Sequence, residues 1–375
     1  MLMLVCTTRE LEAPFVHATS RTDSRNHEDR RRRSSAVRVS RSTFGLRAVR
    51  VRRVPLKRRH GKDSQTCQAV QVISLLAAPS NLGLRPPEPG SVPGTAKAPE
   101  ALREAGLFAR LVELGAIDAG VAISGRYVDD DLTRPIGHAR NEAALVDHAR
   151  RLSRRIENIL NTGRAPLVIG GDCSLLIAAG VALAPLDTIG LVHIDGHTDF
   201  RHPGNSDECA SVAGEDLAAV VGKHWPALSD IDGLGPYFSP AKTVHIGCRE
   251  DDEHIDEASS ILGLVVPAKR AIDIGAAGLA QEAKTAAGPS YWLHVDVDVL
   301  DPDFMPAVDS PAVGGLNPAQ LIELLQRLAP GAIGAQVTVF DPDLDPSGQH
   351  ATLLTDIIVA GLADLGTKNR VAAPI

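Results

Sequence analysis

The chain has 375 residues, 44% of them apolar and 23% charged, which suits one large or two medium globular domains. No apolar run reaches the roughly 18 residues that span a membrane as a helix, and Met1 to Cys6 is too short for a secretory signal. The formal charge of −7 is unevenly spread: residues 1–70 hold 17 Lys/Arg against 6 Asp/Glu, a net of +11, and the remainder carries −18.

The first seventy residues have Arg-rich stretches (Arg30 to Arg33, Arg50 to Arg53, Lys57 to Arg59) and no sustained apolar period, which predicts a disordered basic leader. Glu10, Glu12, Asp23, Glu28 and Asp29 argue against an organelle transit peptide. Binding to nucleic acid or an anionic surface is the weaker reading. The favoured one is that these residues lie outside the native protein, although a native start near Val70 or Val72 would need a codon other than Met. The five cysteines, at 6, 67, 173, 209 and 248, include no CxxC, which fits a reducing cytoplasm.

Beyond the leader, Val70 to Leu76 reads as the first strand, and Pro79 to Gly94 as a long Gly/Pro-rich loop. Residues 139–163 form an amphipathic helix with Leu145, Ala149, Leu152, Ile156 and Ile159 on one face and Gly163 as its stop. Further strands are predicted near 166–169, 189–194, 243–247, 290–296 and 333–340. Helices are predicted near 175–184, 275–286, 317–328 and 350–364. Strands alternating with helices specify an α/β fold with a mostly parallel sheet covered on both faces. No linker is visible after residue 70, so residues 71–375 read as one domain.

The chemistry concentrates at three strand ends. Asp195-x-His197-x-Asp199 and Asp296-x-Asp298 follow apolar runs, and residues two apart on a strand share a face. Four carboxylates and an imidazole gathered at buried strand ends would repel one another and lose hydration. Divalent metal compensates, and this many oxygens suit two ions. Pro166 to Ile169 leads through Gly170-Gly171-Asp172-Cys173-Ser174 into a helix, with Ser174 expected as its N-cap and Cys173 expected as a thiolate. Cys173 as a small buried hydrophobe is the competing reading. Asp301, before Pro302, reads as a turn residue. His193 and His294 lie two residues before Asp195 and Asp296, so they read as supporting histidines one step deeper.

These stretches, with His294 to Pro302, Ile246-Gly247-Cys248-Arg249, Gly314-Gly315-Leu316 and Pro99 to Arg103, resemble the ureohydrolase family of arginases, agmatinases and formimidoylglutamases from about Val72 to Ala363. The resemblance implies a three-layer α/β/α fold and a binuclear manganese site. One ion would be held by Cys173, Asp195, Asp199 and Asp296, the other by Asp195, His197, Asp296 and Asp298. It also implies a bridging hydroxide oriented by Asp199, a linear amidine or guanidine substrate, and a homo-oligomer.

Three departures accompany it. Cys173 replaces the family's usual His, and thiolate favours zinc or iron over manganese. Ala213 stands where arginases carry a proton-shuttling His; His202, His224 and His350 are the candidates to replace it. Val339, in Thr338-Val339-Phe340-Asp341-Pro342, stands where a Glu grips the guanidinium. Two readings follow: a metal-dependent hydrolase of linear amidines, or a non-catalytic relative that binds metal or ligand.

Overall fold

The computed structural model describes residues 73–186 and 188–369. The expectation of a disordered leader over residues 1–70 lies outside the described residues.

Eight strands form one sheet: β1 (Ile73–Ala78), β2 (Ile117–Val121), β3 (Ala165–Gly170), β4 (Gly190–Ile194), β5 (Thr243–Ile246), β6 (Leu264–Val266), β7 (Tyr291–Asp296) and β8 (Ala332–Thr338). Their order is β2-β1-β3-β8-β7-β4-β5-β6, and every pairing is parallel. Parallel neighbours require crossovers. The principal helices that supply or extend them are α1 (Ala98–Glu104), α2 (Leu107–Glu113), α3 (Glu142–Leu160), α4 (Leu175–Leu183), α5 (Asp216–Val220), α6 (Pro226–Ser229), α7 (Ile255–Ile261), α8 (Ala268–Ala287), α9 (Pro318–Leu328) and α10 (Gln349–Leu362).

Side-chain alternation along the strands builds two apolar cores, one per face. Ile73, Leu75 and Ala77 pack with α1, α2, α8, α9 and α10. Leu76 and Ala78 pack with α3, α4 and α5. The result is the three-layer α/β/α arrangement expected. Buried on both sides, the central strands are near-continuous apolar runs.

The predicted face of α3 is buried throughout, and Gly163 takes a positive φ of 75° just past its end. The helix predicted at 275–286 is the second part of α8, which begins at Ala268 and is interrupted at Gly275 by non-helical backbone. Strands β2 and β6 were not foreseen. Both are sheet edges; β2 (Ile-Asp-Ala-Gly-Val) is mostly exposed and β6 has three residues, so neither has a periodic pattern to read.

Candidate metal centre

The three segments singled out in the sequence meet at the carboxyl ends of β3, β4 and β7, where open α/β sheets place their ligands. Only Asp296 still belongs to a strand. Asp298 sits in a short 3-10 turn, and Asp199 has a left-handed backbone with φ of 47°. The side chains therefore converge through tight turns after the strands, not through continued strand geometry. The Asp296 side chain accepts the Asp298 amide at 2.9 Å, and Asp195 accepts the His197 amide at 2.7 Å. Gly196 N–H reaches Asp298 Oδ1 at 2.8 Å and ties the two clusters together.

Cys173 lies against Asp296 Oδ2 at 2.5 Å, and His197 Nδ1 against Asp298 Oδ2 at 2.9 Å. Ligand-capable atoms of Cys173, Asp195 and Asp296 lie within 4.8 Å of one another, as do those of Cys173, Asp199 and Asp216. Such spacing suits donors around one cation at about 2.0–2.6 Å from each. Asp195 Oδ2 is fully buried without a hydrogen-bond partner. The donor set of carboxylates, one imidazole and one sulfur, with an orphaned oxygen at its centre, fits divalent metal.

Electrostatics point the same way. Burial, then Asp199, Asp298 and Asp296, push the Asp195 carboxyl well above its usual range. Burial and neighbouring carboxylates do the same to Asp199 and Asp296. Asp298 alone is lowered: burial opposes its charge, but His197 and the Gly196 amide outweigh it. Cys173 corrects an expectation. Burial, followed by Asp296, Asp216, Asp195 and Asp199, drives its thiol well above normal, so without a cation it is a thiol donating to Asp296. Its place before a helix is outweighed by the acids around it. Ser174 occupies the N-cap position in αR backbone and makes no side-chain cap bond. Asp172 instead accepts the Ser174 amide at 3.0 Å and the Ser80 hydroxyl at 2.8 Å.

Beneath the acids lie His193, His245 and His294, fully buried, as expected of supporting residues. His193 and His294 stack with centroids 4.5 Å apart, and His193 Nδ1 meets His245 Nδ1 at 3.0 Å. Burial pushes His193 down to about 3 and the other two well below normal, so all three are neutral. The tautomer of His294 follows from its partners. An indole N–H only donates. Trp292 Nε1 donates to Gln336 Oε1 at 3.1 Å, which turns Gln336 Nε2 toward His294 Nδ1 at 2.8 Å. His294 Nδ1 must accept, so Nε2 carries the proton and faces Cys173, Asp195 and Asp296. His294 Nε2 is buried without a hydrogen-bond partner of its own, and carrying the proton it is a neighbour of the cluster and not a ligand.

Asp199, Asp296 and Asp298, with His197, form the floor of a cleft of about 700 Å³ bordered by Arg85, Arg201, Asp251, Glu253, Asp309 and Val339 among others. Val339 has φ of 74°, a genuine outlier for a β-branched residue, and its N–H is held by Gly171 O at 2.7 Å. No carboxylate replaces it at that position. Arg249 spends its guanidinium on carbonyls, including those of Gly247 and Asp298. Asp252 accepts the amide and hydroxyl of Thr198, fixing the loop between His197 and Asp199. Asp341 and Asp345 accept backbone amides, and Asp343 pairs with Lys97. Asp301 is the turn residue expected, accepting the Asp303 and Gly314 amides.

None of the three histidines proposed for the missing shuttle borders the cleft. His202 pairs with Glu257, His224 with Glu215, and His350 meets the Phe304 carbonyl. His254 does border it. Asp216, missed from the sequence, is fully buried beside His193. It has no period-2 partner, and Gly214-Glu215-Asp216 reads as an ordinary helix start.

The model of the Arginase family matches residues 73–363, and the chain belongs to that family. It is 29% identical over 301 residues to the arginase of Bacillus caldovelox, covering 75% of this chain and 94% of that one. The structure of that arginase superposes with a TM-score of 0.70 at 26% identity, covering 78% and 98% of the two chains. The proclavaminate amidino hydrolase of Streptomyces clavuligerus aligns at 0.60 with 25% identity, covering 80% and 93%. Among the described residues no helix is long and apolar enough to cross a membrane.

Proposed function

We propose that residues 71–375 are the catalytic domain of a hydrolase that cleaves a C–N bond of a small linear amidine or guanidine. The observation that carries this reading is the convergence of His197, Asp199, Asp296 and Asp298 on the floor of one cleft, with Cys173 and Asp195 buried directly against them. We assign these six to two divalent cations, with Asp195 and Asp296 shared. Manganese is the family expectation, and zinc or iron is favoured by the sulfur of Cys173.

When bound, such a pair supplies Lewis acidity and a water deprotonated near neutral pH. Asp199, aimed into the cleft by its left-handed backbone, accepts a hydrogen bond from the attacking water and orients it. Glu253 on the wall is paired with Arg201 at 3.1 Å, which leaves Asp251 and Asp309 to supply negative charge for a cationic substrate. The family's usual grip on guanidinium is missing at Val339, so the substrate is held differently from arginine. The protein works as a cytoplasmic homo-oligomer on a small-molecule substrate, without nucleic acid or membrane.

A second reading is favoured by Val339 and Ala213: a family member that binds metal or ligand without turnover. The test is metal content by elemental analysis, then a screen of linear amidines and guanidines with Mn, Zn, Co and Ni. Metal-dependent release of amine that Asp296→Asn abolishes supports the enzyme. Two bound metals with no turnover on any substrate favours the second reading. Retained metal and full activity in Asp296→Asn would sink the assignment of the site.

A further inference from the structure

Asp216 opens α5, three residues after the vacant shuttle position at Ala213, and no part of it reaches solvent. Neither carboxylate oxygen makes a well-formed hydrogen bond; the adjacent Leu217 amide gives partial relief. The side-chain nitrogen that stands against it is His193 Nε2, 3.5 Å from Oδ1. Among the described residues no lysine or arginine forms an ion pair with Asp216. A buried carboxylate with so little hydrogen bonding and no cation is costly. Oxygen of Asp216 lies within 4.8 Å of donor atoms of Cys173 and Asp199, which belong to the same prospective coordination sphere.

We propose that Asp216 is a fifth protein ligand of the cation on the Cys173 side of the centre, joining Cys173, Asp195, Asp199 and Asp296. This assignment rests on the binuclear reading given above. His193 then acts as a positioning residue: its Nε2 stands 3.5 Å from Asp216 and 3.7 Å from Asp195 Oδ2, between two carboxylates that would otherwise repel. The added carboxylate would give that cation four carboxylates and one sulfur. It leaves fewer coordination positions there for water or substrate than at the cation held by His197.

The test compares chelator-stripped wild type with Asp216→Asn, titrated calorimetrically with Mn²⁺ and with Zn²⁺, beside a melting curve of each metal-free protein. Asp216→Asn is expected to melt no lower than wild type without metal, because an amide replaces an unpaired acid. It is also expected to lose one cation per chain, or to bind the tighter one at least about tenfold more weakly, the lower bound for disturbing even an outer partner of a metal. Two cations at wild-type affinity in Asp216→Asn overturn the assignment of Asp216. No cation in the wild type overturns the binuclear reading itself. A crystal of the metal-loaded wild type decides independently of how the variant folds. A cation within about 2.0–2.6 Å of an Asp216 oxygen supports the assignment, and one beyond hydrogen-bonding distance removes it.

Discussion

Metal uptake by this chain should release protons, and its affinity should climb steeply with pH. Without a cation, Asp195, Asp199 and Asp296 are pushed well above the ordinary carboxyl range and the Cys173 thiol well above its own. A divalent cation binds the deprotonated forms and must displace whatever protons they hold. Cys173 donates to Asp296 at 2.5 Å, so one proton is assigned to the sulfur. The crowded carboxylates share at least one more. Each displaced proton makes binding about 1.4 kcal/mol more favourable per pH unit, a factor of ten. Between pH 6.5 and 8 the dissociation constant should therefore fall about ten- to hundredfold per unit. Calorimetry in two buffers of different ionisation enthalpy counts the protons directly. Cys173→Ser should lower the count by about one and flatten the pH dependence by about tenfold per unit. The sign is fixed: raised folded-state values mean protons bound in the metal-free chain, so acid opposes the metal. A constant affinity over this range with no proton released would refute the placement of protons on the cluster.

Three further outcomes are expected. Cys173→His should shift bound metal from zinc or iron toward manganese, read by elemental analysis after growth in mixed metals. Asp252→Asn removes a carboxylate that holds Thr198, and should weaken metal binding about 10–100-fold with an unchanged far-ultraviolet circular dichroism spectrum. Gly171→Ala would bring a Cβ to 2.0 Å from the Ser80 carbonyl oxygen, a backbone atom that cannot swing aside. It should cost about 1–3 kcal/mol or more in chemical denaturation.

What could be read in the sequence was set by strong local patterns. The buried strands β3, β4, β7 and β8 are apolar runs that no other element would tolerate, and the acids at their ends are conspicuous because charge should not follow such runs. The edges β2 and β6 lack that signal, since their place depends on pairing with a neighbour. The site residues were found by spacing, yet spacing predicted the wrong geometry for Asp199, whose backbone turns left-handed after β4 ends at Ile194. The protonation of Cys173 was misjudged because a helix start is visible in sequence, whereas four acids from distant segments are not. Asp216 was missed for the same reason. Its chemistry comes from what β3 and β4 bring beside it.

The chain Trp292–Gln336–His294 has an optical consequence. One of two tryptophans in the protein is sealed in the sheet with its indole N–H two hydrogen bonds from an imidazole that touches the acid floor. The other, Trp225, sits edge-on to His224, away from the acid floor. A charge arriving among the carboxylates changes the field at His294, and polarisation along the two hydrogen bonds to the indole ring is the expected result. Trp292 emission is thus expected to change as the centre is loaded with metal, and emission that stays constant through a metal titration would refute this coupling.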